Sequence, residues 1–211
     1  MYIRVLEKLT DTALSAHLIS IYRDYLPTQG TSLPKVVYID CKNSFPIRTF
    51  HAHLATAPSA LSVTSEQIME NVRVVVCLDL TELRKAIQTL SHSLAVERAS
   101  SKETDPSSTS TTFVILCGLD AMYRATHLVD HLLAHQQLND SLLRLRILAA
   151  EQESGALQTD ILLPRAEFPR AASTLLYKEA SNSTHPIKKP RSSWYGSGNM
   201  LGDYIIKFYT D

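Results

Sequence analysis

Glycine is scarce in this chain: six residues in 211, about 3% where soluble domains average about 7%. A phosphate cradle made of backbone N–H groups needs several glycines close together, and no GxxxxGK[ST] run occurs anywhere. Cysteine is also sparse. Cys41, Cys77 and Cys117 are odd in number, widely spaced and set in or just after apolar runs, which fits packed, reduced thiols and not a disulfide framework. Neither sign of charge is in excess, because 21 Lys and Arg stand against 21 Asp and Glu. A polybasic protein is therefore excluded, and any nucleic-acid surface must be a local patch. No apolar run reaches the roughly 18 residues of a membrane span, and the start, MYIRVLEKLTD, has no signal-peptide core. These absences point to the cytosol or the nucleus, with no membrane partner.

The chain does have enough apolar material for a core. Hydrophobic residues make up 45% and charged residues 20%, which excludes wholesale disorder. Ala13, Leu14, Leu18, Ile21, Tyr22 and Tyr25 recur at helical spacing behind the caps Thr10, Asp11 and Thr12. Three short β-branched runs, Lys35 to Asp40, Val72 to Leu78 and Phe113 to Cys117, read as strands buried on both faces. Thr159 to Leu163, ending at Pro164, makes a fourth. After the second strand, Asp79 and Glu82 have the spacing of a capping box, and Leu83, Ile87, Leu90 and Leu94 mark one face of the helix that follows. Leucines between Thr126 and Ala150 give one long helix or two short ones. A short helix is expected in Ala171 to Lys178, and Met200, Leu201, Tyr204, Ile205 and Phe208 begin the last. Strands alternating with helices predict an α/β fold with a mostly parallel sheet flanked by helices. The whole of 1–211 is expected as a single domain, with flexible loops at 99–112, rich in Ser and Thr, and at 180–199.

Four constellations could carry chemistry. Gly196-Ser-Gly198-Asn-Met-Leu-Gly202 has the wrong spacing for a dinucleotide fingerprint and no strand directly before it, so it reads as a loop entering a helix. His127, His131 and His135 follow at i, i+4, i+8 with Asp130 among them, yet without the acid of zinc hydrolases, so they read as a solvated helix face. Cys117 could act as a nucleophile only beside a base, and reads as a buried strand cysteine. Ala180 to Gly202 contains Lys188, Lys189 and Arg191 and no acid, with Trp194 and Tyr195 close behind. Cations there would release counterions from phosphates, and the flat rings would stack on unpaired bases. The alternative for this stretch is an ordinary basic loop with Trp194 in the core.

Several segments taken together resemble a known family. Val36-Val-Tyr-Ile-Asp40-Cys-Lys42-Asn-Ser-Phe45 is similar to the Tyr-Ile-Asp-Thr-Glu-Gly-Thr-Phe stretch of the RecA-family strand-exchange proteins. Met69 to Val72 matches the residues before their next strand, and Phe113 to Arg124 looks like their Walker B strand with its following Tyr-Arg. Lys188-Lys-Pro190 and the turn into the last helix sit where that family has its second DNA-binding loop. More closely, Asn43 to Pro46, Glu70 to Arg73, Cys77 to Leu80 and Asp203 to Tyr209 resemble the chromosome-segregation-in-meiosis subunits of the yeast Shu complex. The resemblance implies a RecA-like three-layer core and promotion of recombinase filament assembly in homologous recombination and error-free DNA damage repair. It also implies a heterodimer with a second RecA-like subunit, contacts with further Shu subunits and with the recombinase and its paralogues, and binding to single-stranded or forked DNA. Lys188, Lys189, Arg191, Trp194 and Tyr195 are the DNA-binding candidates, and Phe45 is a candidate partner anchor that could equally pack in the core. The sequence departs from the recombinase pattern where catalysis would need it. The phosphate loop should lie before Lys35, where only Gly30 is found, Cys117 takes the Walker B acid position, and Lys42 takes the position of the catalytic glutamate. No catalysis and no cofactor are expected. The competing expectation is a structural heterodimer partner whose companion alone binds DNA.

Overall fold

The computed structural model describes residues 3–23, 33–56, 63–104, 111–151, 157–167 and 200–210. Five parallel strands, β1 (Ile3–Glu7), β2 (Lys35–Asp40), β3 (Val72–Val76), β4 (Thr112–Cys117) and β5 (Leu157–Leu163), form one sheet in the order β1-β5-β4-β2-β3. Among the described residues seven α-helices flank it: α1 (Asp11–Arg23), α2 (Ile47–Thr56), α3 (Ser65–Asn71), α4 (Leu80–Thr104), α5 (Leu119–Val129), α6 (His131–Glu151) and α7 (Leu201–Tyr209). A 3₁₀ turn, Arg165–Glu167, follows β5.

Because successive side chains of a strand point to opposite faces, the sheet separates two cores. Val36, Tyr38, Ile115, Cys117 and Leu162 meet Leu14, Leu18 and Tyr22 of α1, Phe50 and Leu54 of α2 and Ile68 of α3 on one face. Ile39, Val114, Leu116, Ile161 and Leu163 meet α4 to α7 on the other, where Leu83, Ile87, Leu138, Leu142, Leu145 and Ile205 are buried. Each fully buried Leu, Ile or Phe contributes about 1.5–3 kcal/mol, so both layers are needed. This is a RecA-like three-layer core.

Local signals in the sequence set most element boundaries. The Thr10 hydroxyl accepts from Ala13 N–H at 3.3 Å to start α1. Asp79 accepts from Glu82 N–H at 2.7 Å, while the Glu82 carboxylate reaches back to Leu78 N–H at 2.7 Å, so the expected reciprocal cap of α4 is present, shifted by one residue. The leucine-rich stretch breaks into two helices at Asp130, whose backbone turns extended and whose carboxylate accepts from Leu133 N–H at 2.9 Å.

Three readings of the sequence change. β1, α2 and α3 were not visible in the hydrophobic pattern. The stretch assigned to a 99–112 loop has regular structure at both ends, because α4 continues through Thr104 and β4 begins at Thr112. β3 reads as a buried central strand but is the sheet's edge, with Arg73, Val74 and Val76 exposed. Tyr25 and the helix expected at 171–178 lie outside the described residues.

β1 is joined to β5 by charge as well as by backbone. Arg4 stands in register with Asp160 and donates to both of its carboxylate oxygens at 2.7 and 2.8 Å, and His17 of α1 lies 3.2 Å from Oδ2. Burial works against the Asp160 charge, but the hydrogen bonds from His17 and Arg4 outweigh it and hold the pKa below the ordinary carboxylate value. A folded pKa below the unfolded one gives stability that is complete above the unfolded value of about 3.9 and lost as pH falls through the folded one. Denaturant midpoints of the wild type should therefore fall below about pH 4, and in Asp160→Asn that part of the fall should be missing.

Candidate functional site

Strands β2 and β4 are neighbours whose chains leave toward opposite faces, β2 into α2 and β4 into α5. The crevice outside their carboxyl ends is therefore the switch point at which open α/β sheets bind ligands. Here it is bridged by the protein itself. Cys41 N–H donates to Cys117 O at 2.9 Å and Cys77 N–H to Asp40 O at 3.0 Å, so pairing continues past the strand ends. Gly118 caps α5 with φ +86, and a Cβ there would stand 2.7 Å from Lys42 Cγ. The Lys42 ammonium lies 3.7 Å from Oδ1 of Asp120, a buried carboxylate in the first turn of α5. Lys42 thus supplies a fixed positive charge at the carboxyl edge, where a phosphate-binding site would need a divalent cation and a water-activating acid.

Among the described residues, the strand–turn–helix units at this edge contain no phosphate cradle. The first of them, β1 to α1, turns through Lys8, Leu9 and Thr10 without a glycine, and Gly30 lies outside the described residues. Cys117 is buried at the end of β4, as the sequence indicated. Burial pushes the Cys77 thiol up to about 11 and raises Cys41 further, so both stay protonated and unreactive near neutral pH.

Asp40 organises the loop beyond β2. It is 1% exposed, and its carboxylate accepts from the N–H groups of Lys42 at 3.0 Å, Ser44 at 2.6 Å and Phe45 at 2.7 Å. Those three bonds, with Asn43 in the left-handed region at φ 51, turn Phe45 back onto the sheet. Its half-buried ring sits 4.9 Å from Tyr38 and 5.9 Å from Phe50 between centroids. The ring packs against the core while remaining partly accessible.

The histidines gather in a different way from the one their spacing suggested. The break at Asp130 puts His127 on α5 and His131 and His135 on α6, yet the His127 ring lies 6.2 Å from His131 and 6.0 Å from His135. The Tyr123 hydroxyl is 3.3 Å from His135 Nε2. Burial, with His127 and His131 adding to it, lowers the His135 pKa, which keeps that ring neutral at physiological pH. Among the described residues no group of three or more His, Cys, Asp or Glu is arranged to hold a metal ion.

Lys188, Lys189, Arg191, Trp194 and Tyr195 all lie outside the described residues, but both attachment points of their segment are described. Glu167 stands just before it and Met200 just after, and a hydrogen bond of 2.9 Å from Leu201 N–H to the Glu167 carboxylate joins the two. Arg124 of α5 pairs with the same carboxylate. The segment with the candidate DNA contacts is therefore rooted at the carboxyl end of β5, close to α5. Sequence reasoning missed Glu167 because its partners are 34 and 43 residues away and no local pattern announces it.

A parallel sheet with helices on both faces, whose switch-point crevice is closed by a lysine, defines a RecA-like core without the phosphate loop of its class. Comparison with known proteins places it further. Residues 9–210 match the model of the family described as "Shu complex component Csm2, DNA-binding", and the chain belongs to that family. It is 30% identical over 194 residues to chromosome segregation in meiosis protein 2 of Candida glabrata, covering 90% of this chain and 86% of that protein. The protein of the same name in Saccharomyces cerevisiae is 28% identical over 182 residues, covering 84% and 82%. That of Kluyveromyces lactis is 27% identical over 192 residues, covering 82% and 86%.

Proposed function

We propose that this chain is a non-catalytic DNA-binding subunit of a recombinase-mediator complex. In this reading it promotes recombinase filament assembly in homologous recombination and error-free repair, works in the nucleus and takes no nucleotide. The observation that carries it is the crevice between β2 and β4, which Lys42 and Asp120 bridge at 3.7 Å with a cation at the edge where phosphoryl transfer would call for acids. A RecA-like core closed in this way can still act as a scaffold. What it retains is the acid-free segment with Lys188, Lys189 and Arg191, which would bind phosphates, and Trp194 or Tyr195, which would stack on an exposed base of single-stranded or forked DNA.

The chain would work as one half of a heterodimer with a second RecA-like subunit, in contact with further subunits and with the recombinase and its paralogues. β3 supports partnership. It is an edge strand with one charge and no proline, and Val74 and Val76 are 40% and 46% exposed, a composition normally seen where another chain covers the edge. Phe45 would anchor a protein partner with the accessible side of its ring. The structural-subunit reading, in which the companion alone touches DNA, draws its support from the zero formal charge and the small number of clustered cations. Purifying the tagged chain with its partners from its native cells and measuring DNA binding of the assembly tests the proposal. In that assembly Phe45→Ala should abolish recovery of one partner. The half-buried ring should cost only about 1–2 kcal/mol of stability, less than the 3–5 kcal/mol of a fully buried phenylalanine. Complete partner recovery together with a larger loss would assign Phe45 to the core.

A further inference from the structure

The two most exposed large apolar side chains among the described residues are neighbours: Val129 is 89% exposed and Leu128 85%. Leu132 at 70% and Leu133 at 42% follow across the turn from α5 into α6. None of the four serves the core, since the buried face of α6 begins at Ala134 and runs on through Leu138, Leu142 and Leu145. The corner that presents them is nonetheless firmly built around one residue. Asp130 N–H donates to Thr126 O at 2.8 Å to close α5, while its carbonyl accepts from Ala134 N–H at 3.0 Å and its carboxylate from Leu133 N–H at 2.9 Å to open α6. Together the four side chains leave on the order of 500 Å² of apolar surface in water, near the top of the range for the largest patch on a monomer. That is more than half of the roughly 800 Å² that one partner gives to a standard interface.

Charge limits what can cover it. From Ala125 to Leu143 the sequence has no Lys or Arg and two acids, Asp130 and Asp140. Arg124 and Arg144, which bound this stretch, pair with Glu167 and Asp140. Gln137 of α6 donates at 3.0 Å to Thr81, at the helix start that carries Asp79 and Glu82. His127, His131 and His135 crowd too closely to charge together. Such a surface offers phosphates nothing, so neither DNA nor an anionic lipid face fits it. A second copy fits poorly as well, because a two-fold contact of this corner with itself would bring the acids of both copies together.

We propose that the α5–α6 corner is a docking surface for a different protein chain of the assembly, one that offers an apolar groove to Leu128, Val129 and Leu132 and sets Lys or Arg at its rim. This rests on the reading that the chain works in a heteromeric complex, and it does not depend on where DNA binds. The contact is separate from that of Phe45, which packs on the opposite face of the sheet from α5 and α6.

The test uses the purified assembly. Leu128→Asp/Leu132→Asp should weaken association with one companion subunit about a hundredfold, because two charges would have to enter its groove, and should leave the Phe45-dependent contact in place. Leu132→p-benzoylphenylalanine, photolysed in the assembly, should attach to that same subunit. Asp130→Asn keeps the helix cap and should slow association a fewfold at low salt but not at high salt, since rim charges steer the encounter. Should the double variant fail to fold, the crosslink carries the test alone. Full recovery of every subunit by the double variant, with no crosslink from position 132, overturns the docking surface and leaves the assembly reading intact. A crosslink to a second copy, or to DNA with every subunit retained, gives the corner another occupant and overturns the proposal. Association of Asp130→Asn at or above the wild-type rate at low salt overturns the basic rim. A wild-type chain that recovers no companion subunit overturns the assembly reading and this inference with it.

Discussion

Replacing Lys188, Lys189 and Arg191 together by alanine should reduce DNA affinity of the assembled complex by one to two orders of magnitude at low salt. Each phosphate contact releases condensed counterions and contributes about 0.7–0.9 to the slope of log affinity on log salt. If all three engage, the triple variant should lose roughly two to three units of slope, and the affinity gap should close as salt is raised. On this reading partner recovery and melting temperature should not move, since charges whose task is to meet DNA contribute little to stability. Unchanged affinity and slope would transfer the DNA contact to another subunit and favour the structural-subunit reading.

Asp40→Ala should have the largest effect on stability. The change strips the hydrogen bonds from three backbone N–H groups at once, and hydrogen bonds to a charged acceptor contribute about 1.5–3 kcal/mol each. The freed loop can reach water, so a net loss of about 3 kcal/mol is expected, and at about 2–4 °C per kcal/mol for a chain of this size the midpoint should fall by roughly 6–12 °C. The loss should extend to function, because Phe45 keeps its place over Tyr38 and Phe50 only while this turn holds. Asp40→Ala should therefore release the same partner as Phe45→Ala, with a larger loss of stability. Retention of every partner by Asp40→Ala would separate the loop from the interface.

What the sequence reveals follows from how local the determining contacts are. β2, β4 and β5 are apolar runs buried on both faces, and such runs are legible without knowing their neighbours. β1 is not, because Arg4 looks out of place in a strand until Asp160, 156 residues away, stands in register with it. α3 had a local signal that the hydrophobic pattern concealed, since Thr64 and Gln67 form a reciprocal capping box. In α2 only Phe50 and Leu54 are buried, too few for periodicity to register. The edge position of β3 depends on strand order, which composition does not encode.

At the site, substitutions are easier to read than geometry. Cys117 and Lys42 stand out in sequence as unsuited to phosphoryl transfer, but their placement around Gly118 and Asp120 comes from two neighbouring strands whose paired residues are 77 positions apart, and from no local pattern. The same holds for Glu167, whose role exists only where the ends of β5, α5 and α7 meet.

On the reading proposed above, this RecA-like core binds DNA without nucleotide. The most direct measurement is the affinity of the purified assembly for a forked DNA with and without ATP and magnesium, for wild type and for a Lys42→Ala variant of this chain. The account predicts one dissociation constant for the wild type in both conditions and no nucleotide dependence in the variant. DNA binding by the wild type that requires ATP and magnesium, and that Lys42→Ala abolishes, would contradict it.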